Sequence, residues 1–445
     1  MSRVLWTVGK AAVRFHSAPI LATVASLFAA SSLASAATLC VNPGGTSGCH
    51  ATISRAVAAA PAGSVVQVWP GTYKEHVVIS KSLSLVSQTK LGATIDATGL
   101  PNGIFVNGMA AAPHAGVSNV LISGFKIRNA KFEGILIANA LDVTVADNLV
   151  TDNNRALDIA TPACNGIPAF ETNEAEDCGE GVHLMATSHS SIVRNEVDHN
   201  SGGILISDET GPTFENLISQ NYVHDNPFDC GITLASHGPA TSVIPSAKLP
   251  FGISHNTVAH NVSAHNGTQV PGAGAGVGIF APFPGTANSG NVVINNDLRN
   301  NGMPGFAMHN HASALAPAPP INLNDNVIVG NHFSGNAADM FDTATAGPTG
   351  INIQSTAPVF GTIIAENVFD NEVIDVAFKA PSGQIEAHFN DFSDGIGIDN
   401  LGTGSVNATE NWWHCSTGPG PGQCATVHGP HVVSMPWLNA TFAVE

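Results

Sequence analysis

Residues 181–226 read GVHLMATSHSSIVRNEVDHNSGGILISDETGPTFENLISQNYVHDN. Two units occur twice in this stretch. One is Gly followed by a short apolar run, GVHL from 181 and GILI from 203. The other is an Asn, an aliphatic residue and a second Asn, NEVDHN from 195 and NYVHDN from 221. The glycines lie 22 residues apart, and Asn195 and Asn221 lie 26 apart. Outward from here, the Gly unit returns at 134, 231, 276 and 305, and the Asn unit at 148, 256, 326, 331 and 367. A period of this length, with several short strands per repeat and no helical pattern, predicts stacked coils. A two-sheet sandwich has no reason to repeat one Asn register so often.

The expected fold is therefore all-β, a single parallel β-helix. Coils would stack at strand spacing, roughly 4.8 Å. One coil cannot bury its apolar face, so stacking must supply the core. Asn at the turns tolerates left-handed backbone, and stacked Asn side chains can form hydrogen-bonded ladders. The wider gaps, 134 to 181 and 231 to 276, fit two turns or one turn with an inserted loop. In the Gly rows the first and third residues are apolar throughout and should point inward. The middle position holds Leu136, His183, Leu205, Thr233, Gly278 and Ala307. It should build one exposed outer strip.

The opening stretch at 51–87, ATISRAVAAAPAGSVVQVWPGTYKEHVVISKSLSLVS, and the closing NATENWWHCSTGPGPG at 407–422, with MPWL after it, carry a resemblance. The chain resembles the right-handed parallel β-helix repeat family of the pectin-lyase-like superfamily. It is also similar to the β-helix domain of periplasmic nitrous-oxidase accessory proteins. The resemblance covers roughly residues 38–440. It speaks for fold and little for chemistry, because such solenoids host many activities. GTYKE at 71–75 resembles the opening motif of pectin methylesterases. The QDT-, DFIFG- and LGRPW-type runs of that family are missing from the sequence, so GTYKE reads as scaffold and the chain is not a pectin methylesterase. The paired Asp and RIK-type motifs of polygalacturonases and the DPHD run of mannuronan epimerases are missing too. Open β-helix ends need caps. Residues 53–60 should form a short N-terminal helix, held by Cys40/Cys49, and Trp412, Trp413 and a Cys415/Cys424 staple should close the other end. The expected divisions are a signal peptide at 1–36, an N-terminal cap at 37–62, and the right-handed solenoid with its C-terminal cap at 63–445.

Composition agrees with an exported chain. Arg3, Lys10 and Arg14 precede an apolar run at 20–30, and Leu33-Ala34-Ser35-Ala36 makes an A-x-A-type cleavage site. Cleavage after Ala36 removes three basic and no acidic residues, leaving 12 basic against 33 acidic and a formal charge of −21. Such a balance argues against nucleic acid and anionic lipid as partners. Polysaccharide is the expected partner, with no membrane span in a secreted or periplasmic, monomeric chain. Seven Cys suit an oxidising compartment: Cys40/Cys49, Cys164/Cys178 and Cys415/Cys424 can each staple a loop, and Cys230 is left as a small buried hydrophobe.

Candidate chemistry gathers on the outer strip. The row ALDIA at 156–160 fits the register and would set Asp158 beside His183, where it could orient a general base. Arg155 could take a substrate carboxylate. Asp208 and Glu209 would be the acid or cation ligands, Asp229 and His237 complete the candidate catalytic group, and Thr233, His309 and His311 would flank it. Asp208 and Glu209 suit calcium as oxygen ligands, yet no consensus calcium loop accompanies them, which leaves the metal open. Three functions follow. The first is a carbohydrate-active enzyme, a lyase, epimerase or hydrolase on an acidic glycan. The second is a non-catalytic carbohydrate-binding or surface protein. The third is an accessory protein of copper-enzyme maturation, which would need soft Cys and Met ligands.

Overall fold

The computed structural model describes residues 36–109, 116–160, 163–172, 179–310, 320–341, 345–393 and 395–441. Residues 1–35 of the proposed signal peptide, Cys178 and His311 lie outside these residues. Every named strand pairing is parallel except one short antiparallel pair, Leu157–Asp158 with Ala163–Cys164. Each central coil has three strands. The coil of the quoted stretch runs through Val182–Ser188, Ser191–Val193 and Glu196–Asp198. The first two kinds of strand belong to one 28-stranded sheet and the third to a 10-stranded sheet. One helix is present among the described residues, Ile53–Ala59, with Thr52 as its N-cap. It covers the first coils as expected. Disulfides Cys40–Cys49 and Cys415–Cys424 form, and Cys164 is disulfide-bonded.

Strand alternation sorts the side chains. Ile135, Val182, Ile204, Ile232, Val277 and Phe306 stack in register, and so do Ile137, Leu184, Ile206, Leu234, Ile279 and Met308. All twelve are buried in one continuous core. Towards the C-terminal end this core becomes aromatic: Phe333 stacks on Phe369 at 5.0 Å, and Phe392 meets the fully buried Trp413 at 4.7 Å. Trp413 is thus packing, not a sugar platform.

The Asn repeat becomes three ladders. One runs from Asn148 through Asn195, Asn221 and Asn261 to Asn411, each Nδ2 donating to the Oδ1 of the next coil. A second runs from Asn153 to Asn336, and a third from Asn216 to Asn326. Left-handed backbone falls on the residue before each ladder Asn, as in Arg194, Gln220 and His260 at φ 55–56°. That non-Gly strain is offset by the buried amide bonds immediately following. The repeating glycines answer a different need. A Cβ on Gly203 would stand 2.2 Å from the carbonyl oxygen of Gly231 and 2.2 Å from Val223 Cγ1. Glycine is required there by close approach, with φ outside the left-handed region.

The second ladder ends on a carboxylate. Glu372 Oε1 accepts from Asn336 N at 3.1 Å and Asn336 Nδ2 at 2.8 Å. Burial pushes its carboxyl up to about 7 despite those bonds. A raised folded-state pKa means the proton stabilises the fold below the ordinary Glu range, and that stability is lost as pH rises through about 7. Glu372→Gln keeps the acceptor and removes the titration. The variant should therefore gain on the native chain by about 1–3 kcal/mol between pH 5 and 8. Chemical denaturation at both pH values checks this; parallel pH dependences for the two proteins would refute it.

Candidate functional site

The middle positions of the Gly rows do stack, Leu136 on His183 on Leu205 on Thr233. They point away from the central core, as expected. They are not exposed: His183 and Leu205 are fully buried and Thr233 is 5% exposed. The cause is two chain excursions that leave the coils on this face. The direct pairing of Ile135–Ala138 with Val182–Met185 makes the first an insertion within one turn, and Ile232–Ala235 with Val277–Phe280 does the same for the second. Phe170 from the first packs with Leu136, Ala138 and Met185. The excursions are tied together, Thr172 Oγ1 donating to Gly238 O at 2.5 Å and Ser242 Oγ to Ala169 O at 2.8 Å.

Beneath this cover lies a chain of polar groups. His183 Nε2 bonds Ser207 Oγ at 2.7 Å, and the Ser207 hydroxyl makes a short bond to Glu209 Oε2. Glu209 Oε1 takes the Nδ1–H of His237 at 3.0 Å. Burial alone would raise the Glu209 carboxyl, but the His237 and His183 imidazoles and Ser207 outweigh it and hold it below the usual range. Asp208 accepts from His237 N, Ser236 Oγ and Gly252 N at 2.7, 2.9 and 2.5 Å. It is pushed up to about 6, chiefly by burial, with the Glu209 charge adding to this.

A second group adjoins the first. Glu133, Glu180 and His183 are all buried, and their ligand atoms lie within 4.8 Å of one another. Asn102 Nδ2 donates to Glu133 Oε2 at 2.5 Å. Glu171, reaching in from the first excursion, is raised well above its ordinary range, first by burial and then by the charges of Glu133, Glu209 and Glu180. The Glu133 carboxyl is pushed up to about 7 by burial, and the two side chains share a carboxyl–carboxylate contact. Along the left-handed kinks at Asn139 and Ala186 within their strands, a cleft of about 600 Å³ opens, lined by Asn139, Leu141, Ala186, Thr210, Phe214 and Ile244. Thr210 follows Glu209 directly and donates to Asn139 Oδ1 at 3.2 Å.

Of the residues singled out from sequence, His183, Asp208, Glu209 and His237 come together. Asp158 does not join them. Its segment leaves the coil and pairs antiparallel with Ala163–Cys164, so Leu136, not Asp158, is the neighbour of His183. ALDIA mimics a Gly row, but after the usual ladder turn the chain takes a further positive φ of 112° at Asn154 and leaves the stack. Arg155 is exposed and pairs with Asp152 at 3.3 Å, outside the cluster. Asp229 is half-buried at the opposite end of its strand from His237, beside Cys230. Cys230 is a buried free thiol, raised well above its usual range by burial and then by Asp229. Thr233 is packed within the strip. His309 is buried 3.5 Å from Asp339, three coils along from Ser207, or about 14 Å at strand spacing.

Glu133, Glu171, Glu180 and Ser207 escape sequence reasoning. A signal existed for two of them. Glu133 and Glu180 occupy the position just before the repeated Gly134 and Gly181, where other rows carry Gly202, Cys230 and Ala275. Two acids in one otherwise small or neutral repeat position stack on successive coils.

Residues 102–412 match a family described as the right-handed β-helix region. No curated protein matches the sequence. Among solved structures, an alginate lyase from Paenibacillus sp. str. FPU-7 is similar at 14% identity and TM-score 0.50, over 75% of this chain and 95% of that one. The Dettilon tailspike protein is similar at 13% identity and TM-score 0.54, over 82% of this chain and 62% of the tailspike. At such identities the likeness is one of fold.

Proposed function

The chain belongs to the right-handed β-helix family, and from that premise we propose an exported carbohydrate-active enzyme whose chemistry resides in the Glu209 cluster. The observation that carries this reading is the buried convergence of Asp208, Glu209, His183 and His237, one residue along the chain from Thr210 in the wall of the cleft. Proton transfer at a glycosidic oxygen or beside a uronate carboxylate needs acids and bases of differing affinity for the proton. Glu209, held low, and Asp208, raised to about 6, supply that difference. A glycan strand would lie along the Asn139–Phe214 cleft, with Thr210 bringing its scissile unit towards Glu209. Entry would part the Thr172–Gly238 and Ser242–Ala169 bonds.

The charge of the site selects among substrates. Among the described residues no Lys or Arg pairs with Glu133, Glu171 or Glu209. A neutral glycan meets no repulsion there, and hydrolysis by paired carboxylates suits it. An acidic glycan would require a bound cation to offset its own carboxylates. The Glu133–Glu180–His183 group favours that as a second reading.

The test is a panel of neutral and uronate polysaccharides, followed by reducing-sugar release and by ultraviolet absorbance of unsaturated products. Glu209→Gln should lower turnover by about 10²-fold or more while Arg155→Ala leaves it unchanged. Full activity in Glu209→Gln, or silence on every glycan, would sink the proposal.

A further inference from the structure

We propose that Glu133, Glu180 and His183 hold a divalent first-row transition-metal ion, with Glu171 as a fourth ligand. This goes beyond the reading above, because the site stands whether or not a glycan is turned over. Geometry comes first. Two ligands at about 2.1 Å from one ion lie up to about 4.2 Å apart, and the three ligand atoms already fall within 4.8 Å of each other. Small rotations of Glu side chains would close the shell. The donors stand on adjacent coils of a rigid sheet: Glu133 and Glu180 are bonded neighbours through Gly134 N and Glu180 O, and His183 follows three residues on.

Glu171 independently points to a ligand. It is 5% exposed, and among the described residues neither of its oxygens receives a hydrogen bond from an N–H or a hydroxyl. The Glu133 carboxylate, by contrast, takes the Gly179 N–H and the Asn102 amide and shares the carboxyl contact with Glu171. Glu171 faces the carboxylates of Glu133, Glu180 and Glu209 instead of a cationic side chain. Protons can neutralise part of such a group, but one divalent cation offsets the charge of several of its carboxylates at once.

The imidazole decides the class of ion. Ser207 gives its hydroxyl hydrogen to Glu209, so its Oγ must accept from His183 Nε2–H. That fixes the tautomer with the ring lone pair on Nδ1. A ring N–H held by a hydroxyl and a carboxylate beyond it is the support that a metal-ligating His ordinarily has. One nitrogen with carboxylate oxygens suits Zn²⁺, Mn²⁺ or Co²⁺, whereas Ca²⁺ takes six to eight oxygens.

The probes are the metals themselves, added to the chelator-stripped full chain. Zn²⁺ measured by competition with a chromophoric chelator should bind one per chain, and Ca²⁺ should not displace it. Glu180→Gln and Glu171→Gln should each weaken Zn²⁺ by 10-fold or more. X-ray absorption of the Zn²⁺-loaded native chain should give one imidazole and two or three oxygen neighbours, and this readout needs no variant to fold. Two or more imidazoles at the zinc, affinity untouched by Glu180→Gln, or Ca²⁺ binding in place of Zn²⁺ would overturn the proposal. None of these readouts depends on glycan turnover, so each idea can fail alone.

Discussion

Asn221→Ala is expected to lower the stability of the fold by about 4 kcal/mol. Asn221 sits mid-ladder and is 3% exposed. Its Oδ1 accepts from Asn195 N at 2.9 Å and Asn195 Nδ2 at 3.0 Å. Its Nδ2 donates to Ile192 O at 2.8 Å and Asn261 Oδ1 at 3.0 Å. Alanine removes all four bonds and leaves four polar groups without that partner between two coils. Each such buried group costs about 1–3 kcal/mol, less where water can enter. Asn221→Asp should be worse at neutral pH. It keeps the acceptor for Asn195, but it sets a buried charge against Asn261 Oδ1. Because a solenoid is coupled mainly to nearest neighbours, the damage should begin at the coils either side. Denaturant melts with hydrogen exchange at Val197 and Val258 would read it. A loss of less than 1 kcal/mol for the alanine variant would mean that the ladder contributes little.

Gly203→Ala should cost at least about 3 kcal/mol or block folding. The added methyl would meet the Gly231 carbonyl and Val223 Cγ1, each at 2.2 Å. One obstacle is backbone of the next coil and the other a core side chain, so neither can swing aside. The coils would have to part locally, and parting them also breaks Val182 N to Gly203 O and Ile204 N to Gly231 O. Gly238→Ala is the matched control. Nothing lies within 4 Å of its added carbon, and its stability should stay within about 0.5 kcal/mol. Equal midpoints for the two variants would show that glycine recurs in these rows for another reason.

Much of the fold was legible because its determinants are local and repeated. Gly181, Gly203 and Gly231 mark the strand starts, and Asn195, Asn221 and Asn256 mark the turns. The helix at Ile53–Ala59 and the two terminal disulfides follow from short-range pattern and spacing. Left-handed backbone was assigned to Asn itself, whereas the preceding Arg194, Gln220 or His260 adopts it. Composition alone does not distinguish the residue that turns from the one that bonds.

The site was half legible. His183, Glu209 and His237 were found because they lie in or just after repeated strands whose faces alternation fixes. Asp158 was misplaced because five residues of apolar alternation look the same in a coil and in an insertion. Glu171 was missed because it sits in an excursion with no period to read.

The sequence by itself therefore determined the solenoid, its inward columns and its turn chemistry, since a period of stacked identical contacts repeats in the residues that make them. The tertiary structure alone decided which acids meet. The excursion carrying Glu171 folds back over Glu133, Glu180 and Glu209, and the burial and mutual charge that set their protonation exist only once that cover is in place.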